Sequence, residues 1–181
     1  MRRSKKIRNL AICSVLSAFG VVVLMLGTFI DVLDMSAAMI ASVLIVVAVI
    51  EAKGFWPWLT YGVTATVALL LLPVKTVAMI YVFAGYYPII KSKLEKLPKA
   101  FSYVLKFLVF NISLVAAAFA FKFLLTGISF EPIWGVGKNI TYVVFYVLGN
   151  VTFLMYDILL TRLASLYIFK LRDRIGLGRT K

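Results

Sequence analysis

Histidine is absent from the 181-residue sequence. Its absence excludes Ser-His-Asp and Cys-His nucleophilic arrangements, imidazole zinc sites and histidine proton relays. The sequence also has no GxxxxGKS or GxxxxGKT loop, so the chain is not expected to hydrolyse ATP by itself. We therefore predict a protein that is not an enzyme, with no catalytic residue, no cofactor and no metal site.

Cysteine is nearly absent, and Cys13 is its single representative. One thiol cannot form an internal disulfide or a multi-thiolate metal site. Cys13 lies near the start of a long apolar run, where a cysteine usually serves as a small packing residue.

Acidic residues are also scarce: 7 Asp and Glu stand against 20 Lys and Arg, which gives a formal net charge of +13. In a soluble protein this excess would point to nucleic acid. Here the membrane gives a better reason, because basic residues collect on cytoplasmic loops and attract anionic lipid headgroups. We predict membrane lipids as partners and no binding of nucleic acid.

Charged residues in total make up 15% of the chain, whereas about 25% is usual in soluble proteins. Apolar residues make up 63%, and the mean hydropathy is +1.02. A single water-soluble core of this size could not cover so much apolar surface. The composition therefore predicts a membrane protein.

Long apolar runs divide the sequence into six segments, and a crossing of the hydrocarbon layer needs about 20 residues. We predict an all-α polytopic membrane protein, a single domain over 1–181 built as a bundle of six transmembrane helices. The predicted spans are 9–30, 35–52, 55–73, 76–91, 100–124 and 139–163.

The distribution of basic residues predicts the orientation. With the amino terminus inside, fifteen lysines and arginines lie on the inner side and three on the outer side. The positive-inside rule then places both termini in the cytoplasm, in a multi-pass protein of the plasma membrane. Tyr86, Tyr87 and Tyr167 fall near the inner interface, where we interpret them as aromatic anchors.

Two asparagines are the deepest strong hydrogen-bonding side chains of the later spans, Asn111 in the fifth and Asn150 in the sixth. These spans are sequential and antiparallel, so the two amides can meet near mid-depth. Two interpretations stay open. The pair holds the helices together, or it forms the floor of a polar ligand pocket that the 125–138 loop opens.

Asp157 lies near the inner end of the sixth span, five residues before Arg162. A five-residue offset disfavours a pair on one helix face. Asp157 therefore either forms an ion pair with a basic residue of another helix, or docks a partner together with Arg162. Lys106 lies one turn inside the fifth span, where a lysine can extend its amine to the interface.

Small residues lie on the first span at Ala11, Ser14 and Ala18. Together with six spans and two cytoplasmic termini, this pattern resembles the substrate-capture (S) component of energy-coupling factor transporters. In that family the alanine-rich face of the first helix docks on a transmembrane coupling subunit, and a separate pair of ATPase subunits supplies energy. The resemblance implies uptake of a small-molecule ligand that enters from outside and contacts Asn111, Asn150, Glu131 and Trp134.

A different function also fits the charge pattern. The basic residues within 91–99 and 170–181 lie on one side of the predicted bundle. They would suit a non-transporting membrane scaffold whose basic cytoplasmic face binds anionic lipids or a partner protein. Neutralising these charges should then release the partner or change the dependence on lipid.

Overall fold

A computed structural model describes residues 2–30, 33–52, 54–124 and 138–172, and within these ranges the chain is helical with no strand. The helices pack side by side in one bundle. They are α1 (Arg2–Gly27), α2 (Asp34–Glu51), α3 (Trp56–Leu71), α4 (Lys75–Gly85), α5 (Tyr87–Leu94), α6 (Lys99–Leu124) and α7 (Lys138–Leu166), followed by a π-helical turn (Tyr167–Leu171).

Within the described ranges, four helices are long and apolar enough to cross a membrane. Their apolar stretches are Lys5–Gly27, Asp34–Glu51, Ala100–Ala120 and Tyr146–Lys170. They match the first, second, fifth and sixth predicted spans, so the prediction of an all-helical chain with membrane-length apolar helices is confirmed. The third predicted span corresponds to α3, which has 16 residues.

The fourth predicted span, 76–91, is divided into α4 and α5 at Tyr86. Pro88 lies in the first turn of α5, where its missing N–H and fixed φ are tolerated. In the interior of one continuous helix the same proline would remove a hydrogen bond. The chain therefore begins a new helix at Tyr87.

Helices α1 and α3 run parallel in a constant register. Ser17 Oγ donates to the carbonyl of Thr60 at 3.4 Å. One turn further along, a Cβ added to Gly20 would lie 2.9 Å from Cγ2 of Thr64. Small residues thus let the two backbones approach closely, as is usual between membrane helices.

The first four helices share one apolar core. It is built largely from alanine, which allows close packing, and consists of Leu24, Ala38, Ala41, Ala65, Ala68, Leu72, Val77, Ala78 and Tyr81. Gly27 belongs to the same contact region, because a Cβ added there would collide with the Cβ of Ala37.

The last two helices are attached more loosely. Only 6% of the apolar stretch of α6 is buried inside the structure, against 44% for α2. A second core cluster, Val46, Tyr87, Phe153, Tyr156 and Leu160, joins α7 to α2 and α5. Large apolar side chains on the outer faces of α6 and α7 remain exposed, as lipid-facing side chains do.

One end of the bundle, here named the charged end, gathers several helix termini. The Sγ atom of Cys13 lies 3.8 Å from the carbonyl oxygen of Trp56, so the start of α3 lies beside the N-terminal half of α1. Nε of Arg172 lies 3.0 Å from Oε1 of Glu51, which ties the residue after the π-helical turn to the end of α2. The start of α1 and the end of α7 therefore lie at the same end.

Candidate functional site

A cavity of about 230 Å³ lies between α2, α4, α6 and α7. It extends from the middle of the bundle toward the end opposite the charged end. The lining side chains are mostly apolar or aromatic: Met35, Met39, Ile80, Phe83, Ala84, Tyr86, Tyr87, Phe110, Ser113, Leu114, Ala117, Gly149, Thr152, Phe153 and Tyr156.

Small residues on three of the surrounding helices leave this space unfilled. Ala84, Ala117 and Gly149 line the cavity on α4, α6 and α7. A Cβ added to Gly149 would lie 2.8 Å from Cδ1 of Leu114, so the glycine allows α7 to approach α6 at that level. Only 6% of the apolar stretch of α6 is buried inside the structure, so few of its side chains fill space between the helices.

Aromatic rings pack against one another along the wall nearest the charged end. Phe110 stacks on Phe153 with ring centroids 4.1 Å apart and planes 15° apart. Tyr87 meets Phe153 edge to face at 5.0 Å and lies 5.8 Å from the Tyr156 ring. Such ring pairs stabilise beyond their buried area, so they contribute to holding α5, α6 and α7 together at this wall.

Hydroxyl groups supply the polar atoms of the cavity, and each described one has an internal partner. Tyr156 OH lies 2.6 Å from Oγ of Ser42 and 3.2 Å from the carbonyl of Ala84. Tyr86 and Ser113 hydrogen-bond through their hydroxyls. The hydroxyls thus avoid the cost of unpaired burial.

Behind Tyr87 lies a group of four charged side chains, here named the ion cluster: Lys91, Glu95, Lys106 and Asp157. Tyr87 OH donates to Oδ1 of Asp157 at 2.6 Å. Lys91 bonds the same carboxylate and donates to the Asp157 carbonyl at 2.8 Å. Lys106 Nζ lies 3.3 Å from Oδ2 of Asp157, and both lysines lie 3.2 Å from Oε1 of Glu95.

The ion cluster is electrically balanced, with two lysines and two carboxylates. The side chains of Lys91 and Lys106 are 6% and 9% exposed, and that of Asp157 is 14% exposed. Buried charges need partners of this kind, so the cluster fixes α5, α6 and α7 to one another. Lys106, predicted to extend to the interface, is instead buried because Asp157 and Glu95 solvate its amine.

Asp157 therefore meets basic residues of other helices, as one of the two sequence interpretations proposed. Arg162 lies exposed further along α7. A role of this pair in docking a partner stays a prediction. The predicted docking residues of α1, Ala11, Ser14 and Ala18, are all exposed on the face turned away from the bundle.

The two asparagines lie opposite each other, as expected. Nδ2 of Asn111 is 3.4 Å from Oδ1 of Asn150, and each amide also donates to the carbonyl four residues earlier, at 2.8 and 2.9 Å. Neither asparagine is among the described residues that line the cavity. This geometry fits helix packing; Glu131 and Trp134 lie outside the described residues.

A second ion pair closes the charged end. The Glu51 side chain is 1% exposed and lies beside Nε of Arg172, while Tyr167 OH donates to Glu51 Oε1 at 3.4 Å. Interpreting Tyr87 and Tyr167 as interfacial anchors was wrong, since both side chains are buried against neighbouring helices. Their hydroxyls bond carboxylates within the bundle.

Sequence reasoning missed the residues that shape the cavity, above all Tyr86, Ser113 and Tyr156. The available signal was a set of hydroxyl-bearing side chains inside apolar spans.

Among the described residues, no group of three or more Asp, Glu, Cys or His side chains could hold a metal ion. Comparison with protein families, with curated proteins and with solved structures gives no significant match to the chain.

Proposed function

We propose that the chain is a multi-pass protein of the plasma membrane that captures a small molecule in the cavity, as S components of energy-coupling factor transporters do. The observation that carries this proposal is the cavity itself. The cavity is a mostly apolar space between the helices of a bundle, which is where ligand sites of helical bundles commonly lie. In this proposal the chain binds and releases its ligand and catalyses no reaction.

Six crossings with both termini in the cytoplasm are part of the proposal. Helix α3 would extend about 24 Å, and α4 with α5 about 30 Å, at about 1.5 Å per residue. Exposed lysines support the assignment of the charged end to the cytoplasm: Lys5, Lys6, Lys93, Lys96 and Lys170.

Energy for transport would come from other subunits. The face of α1 that carries Ala11, Ser14 and Ala18 is exposed and has small side chains, which is what close docking of a transmembrane coupling subunit requires. ATPase subunits attached to that coupling subunit would then drive the cycle.

Purification at native expression level tests the proposal. We expect the chain to be recovered with a coupling subunit, a pair of ATPases and a retained small molecule. Ala18→Trp, on the docking face, should lose the other subunits. Ala118→Trp, an equal enlargement at an exposed position of α6, should keep them. Recovery of the chain alone, with no retained molecule, contradicts the proposal.

The exposed lysines of the charged end favour one alternative, a scaffold that binds anionic lipids or an acidic cytoplasmic partner. Lys93→Gln with Lys96→Gln should then weaken binding to vesicles that contain phosphatidylglycerol. Lys75→Gln, at the opposite end, makes a matched control. Equal binding by all variants contradicts the scaffold function.

A further inference from the structure

We propose that the cavity selects an uncharged molecule that has an apolar body and one hydrogen-bond acceptor, and that the Tyr86–Ser113 hydroxyl pair binds this acceptor. The inference rests on the proposed function and specifies the ligand class of the same site. Its support comes from the size, the charge and the hydroxyl protons of the cavity.

The volume sets the size of the ligand. The cavity measures about 230 Å³, below the roughly 300–1,000 Å³ that is typical of pockets for drug-sized ligands. The ligand, or the part of it that enters, is therefore a short chain or one or two fused rings. Met35 and Met39 line the α2 side, and their flexible thioethers adapt to such a body.

Anionic ligands are disfavoured because no Lys or Arg is among the described lining residues. The nearest cations, Lys91 and Lys106, lie behind Tyr87 and already contact both Asp157 and Glu95. A carboxylate or phosphate in the cavity would lose its hydration without gaining a positive partner, which is costly.

Cationic ligands are disfavoured for a related reason. Asp157 accepts hydrogen bonds from Tyr87, Lys91 and Lys106, so it has little capacity to balance a further positive charge. Two of the lining rings, Phe110 and Phe153, are stacked on each other and so have fewer free faces for a cation. A cation needs free ring faces around it.

The hydroxyl protons of the lining residues determine which polar group of a ligand the cavity can bind. Tyr87 donates to Asp157, Tyr156 donates to Ser42, and Thr152 donates to a backbone carbonyl at 2.9 Å. The Tyr86–Ser113 pair holds two protons and uses one between its own oxygens. Among the described lining residues, this pair therefore has a proton to spare, and an acceptor on the ligand satisfies it.

Four related probes test the ligand class: 2-acetylnaphthalene, which carries an acceptor; 2-ethylnaphthalene, of nearly the same shape without one; anionic 2-naphthoate; and cationic 2-naphthyltrimethylammonium. Radiolabelled probes are equilibrated with the full chain in lipid nanodiscs, and binding to empty nanodiscs is subtracted. We expect saturable binding of 2-acetylnaphthalene, about fivefold to tenfold tighter than 2-ethylnaphthalene. The charged probes should not compete.

Three variants locate the binding. Ser113→Ala should weaken 2-acetylnaphthalene about fivefold to tenfold and leave 2-ethylnaphthalene within twofold. Ala117→Phe, which fills the cavity, should abolish binding of both. Ala116→Phe, at an exposed neighbouring position of the same helix, should leave both unchanged.

Two failures can be told apart. In the first, a probe binds saturably and Ala117→Phe abolishes the binding, but the two neutral probes bind equally or a charged probe binds best. This result overturns the ligand class and leaves capture in the cavity standing. Absence of saturable binding for all four probes overturns capture itself, and the ligand class with it.

Discussion

Removal of the negative charge of Asp157 should destabilise the bundle more than any exposed charge change. In Asp157→Asn the two buried lysines keep Glu95 as their counter-ion, and the Glu95 side chain is 44% exposed. Breaking a buried ion pair costs about 3–5 kcal/mol, and the remaining glutamate places this variant near the lower end, at about 3 kcal/mol. For a chain of this length that corresponds to a drop in unfolding midpoint of roughly 6–12 °C.

The single cysteine provides the assay. Cys13 is buried, so its reaction with a fluorogenic maleimide in detergent reports unfolding during a temperature ramp. Arg162→Gln, an exposed charge change on the same helix, serves as the control and should stay within about 1 °C of the parent. A second reporter, Cys13→Ser with Ser102→Cys, places the thiol at a buried position of α6.

A double variant separates lost charge pairing from lost packing. Asp157→Leu with Lys106→Met removes one charge of each sign, so it should unfold at a higher temperature than Asp157→Asn. If Asp157→Asn unfolds together with the Arg162→Gln control at both reporter positions, the ion cluster does not hold the bundle and the reasoning is refuted.

Three further predictions concern helix packing, a side-chain hydrogen bond and an ion pair, and the same thermal assay measures the first. Gly27→Ala should cost about 1–3 kcal/mol because its Cβ meets Ala37, whereas Gly62→Ala, with open space around it, should gain up to about 1 kcal/mol; equal effects would contradict the packing. A double-mutant cycle of Asn111→Ala and Asn150→Ala should give a coupling near 0.6 kcal/mol, and zero coupling would contradict their hydrogen bond. Glu51→Gln removes the counter-ion of Arg172, so it should speed trypsin cleavage after the π-helical turn. Asp34→Asn, at the other end of α2, should leave the cleavage rate unchanged.

Composition and hydropathy were sufficient for the helices and, in α2 and α6, nearly sufficient for their limits. The predicted span 100–124 differs by one residue from α6, and 35–52 by one residue at each end from α2. The division at Tyr86 was not predicted, although Pro88 gave the signal, because membrane helices often tolerate proline within a span. Turn geometry at that point depends on the packing of α4 and α5 against their neighbours.

Sequence reasoning predicted less of the candidate site than of the fold. The meeting of Asn111 and Asn150 was predictable, because two sequential helices leave few ways to place two deep amides. The partners of Asp157 were not, since Lys91 reaches it from another part of the chain through the packing of α5 on α7. The cavity depends on the gaps left between four helices, which no local pattern encodes.

The ion cluster also bears on the order of biosynthesis. Lys91 and Lys106 precede Asp157 by 66 and 51 residues, so both lysines leave the ribosome before their main counter-ion exists. During that interval Glu95 alone balances two positive charges, so we expect this part of the nascent chain to stay at the water interface. Arrival of α7 would then neutralise the lysines, so we expect the bundle to close only after α7 is synthesised.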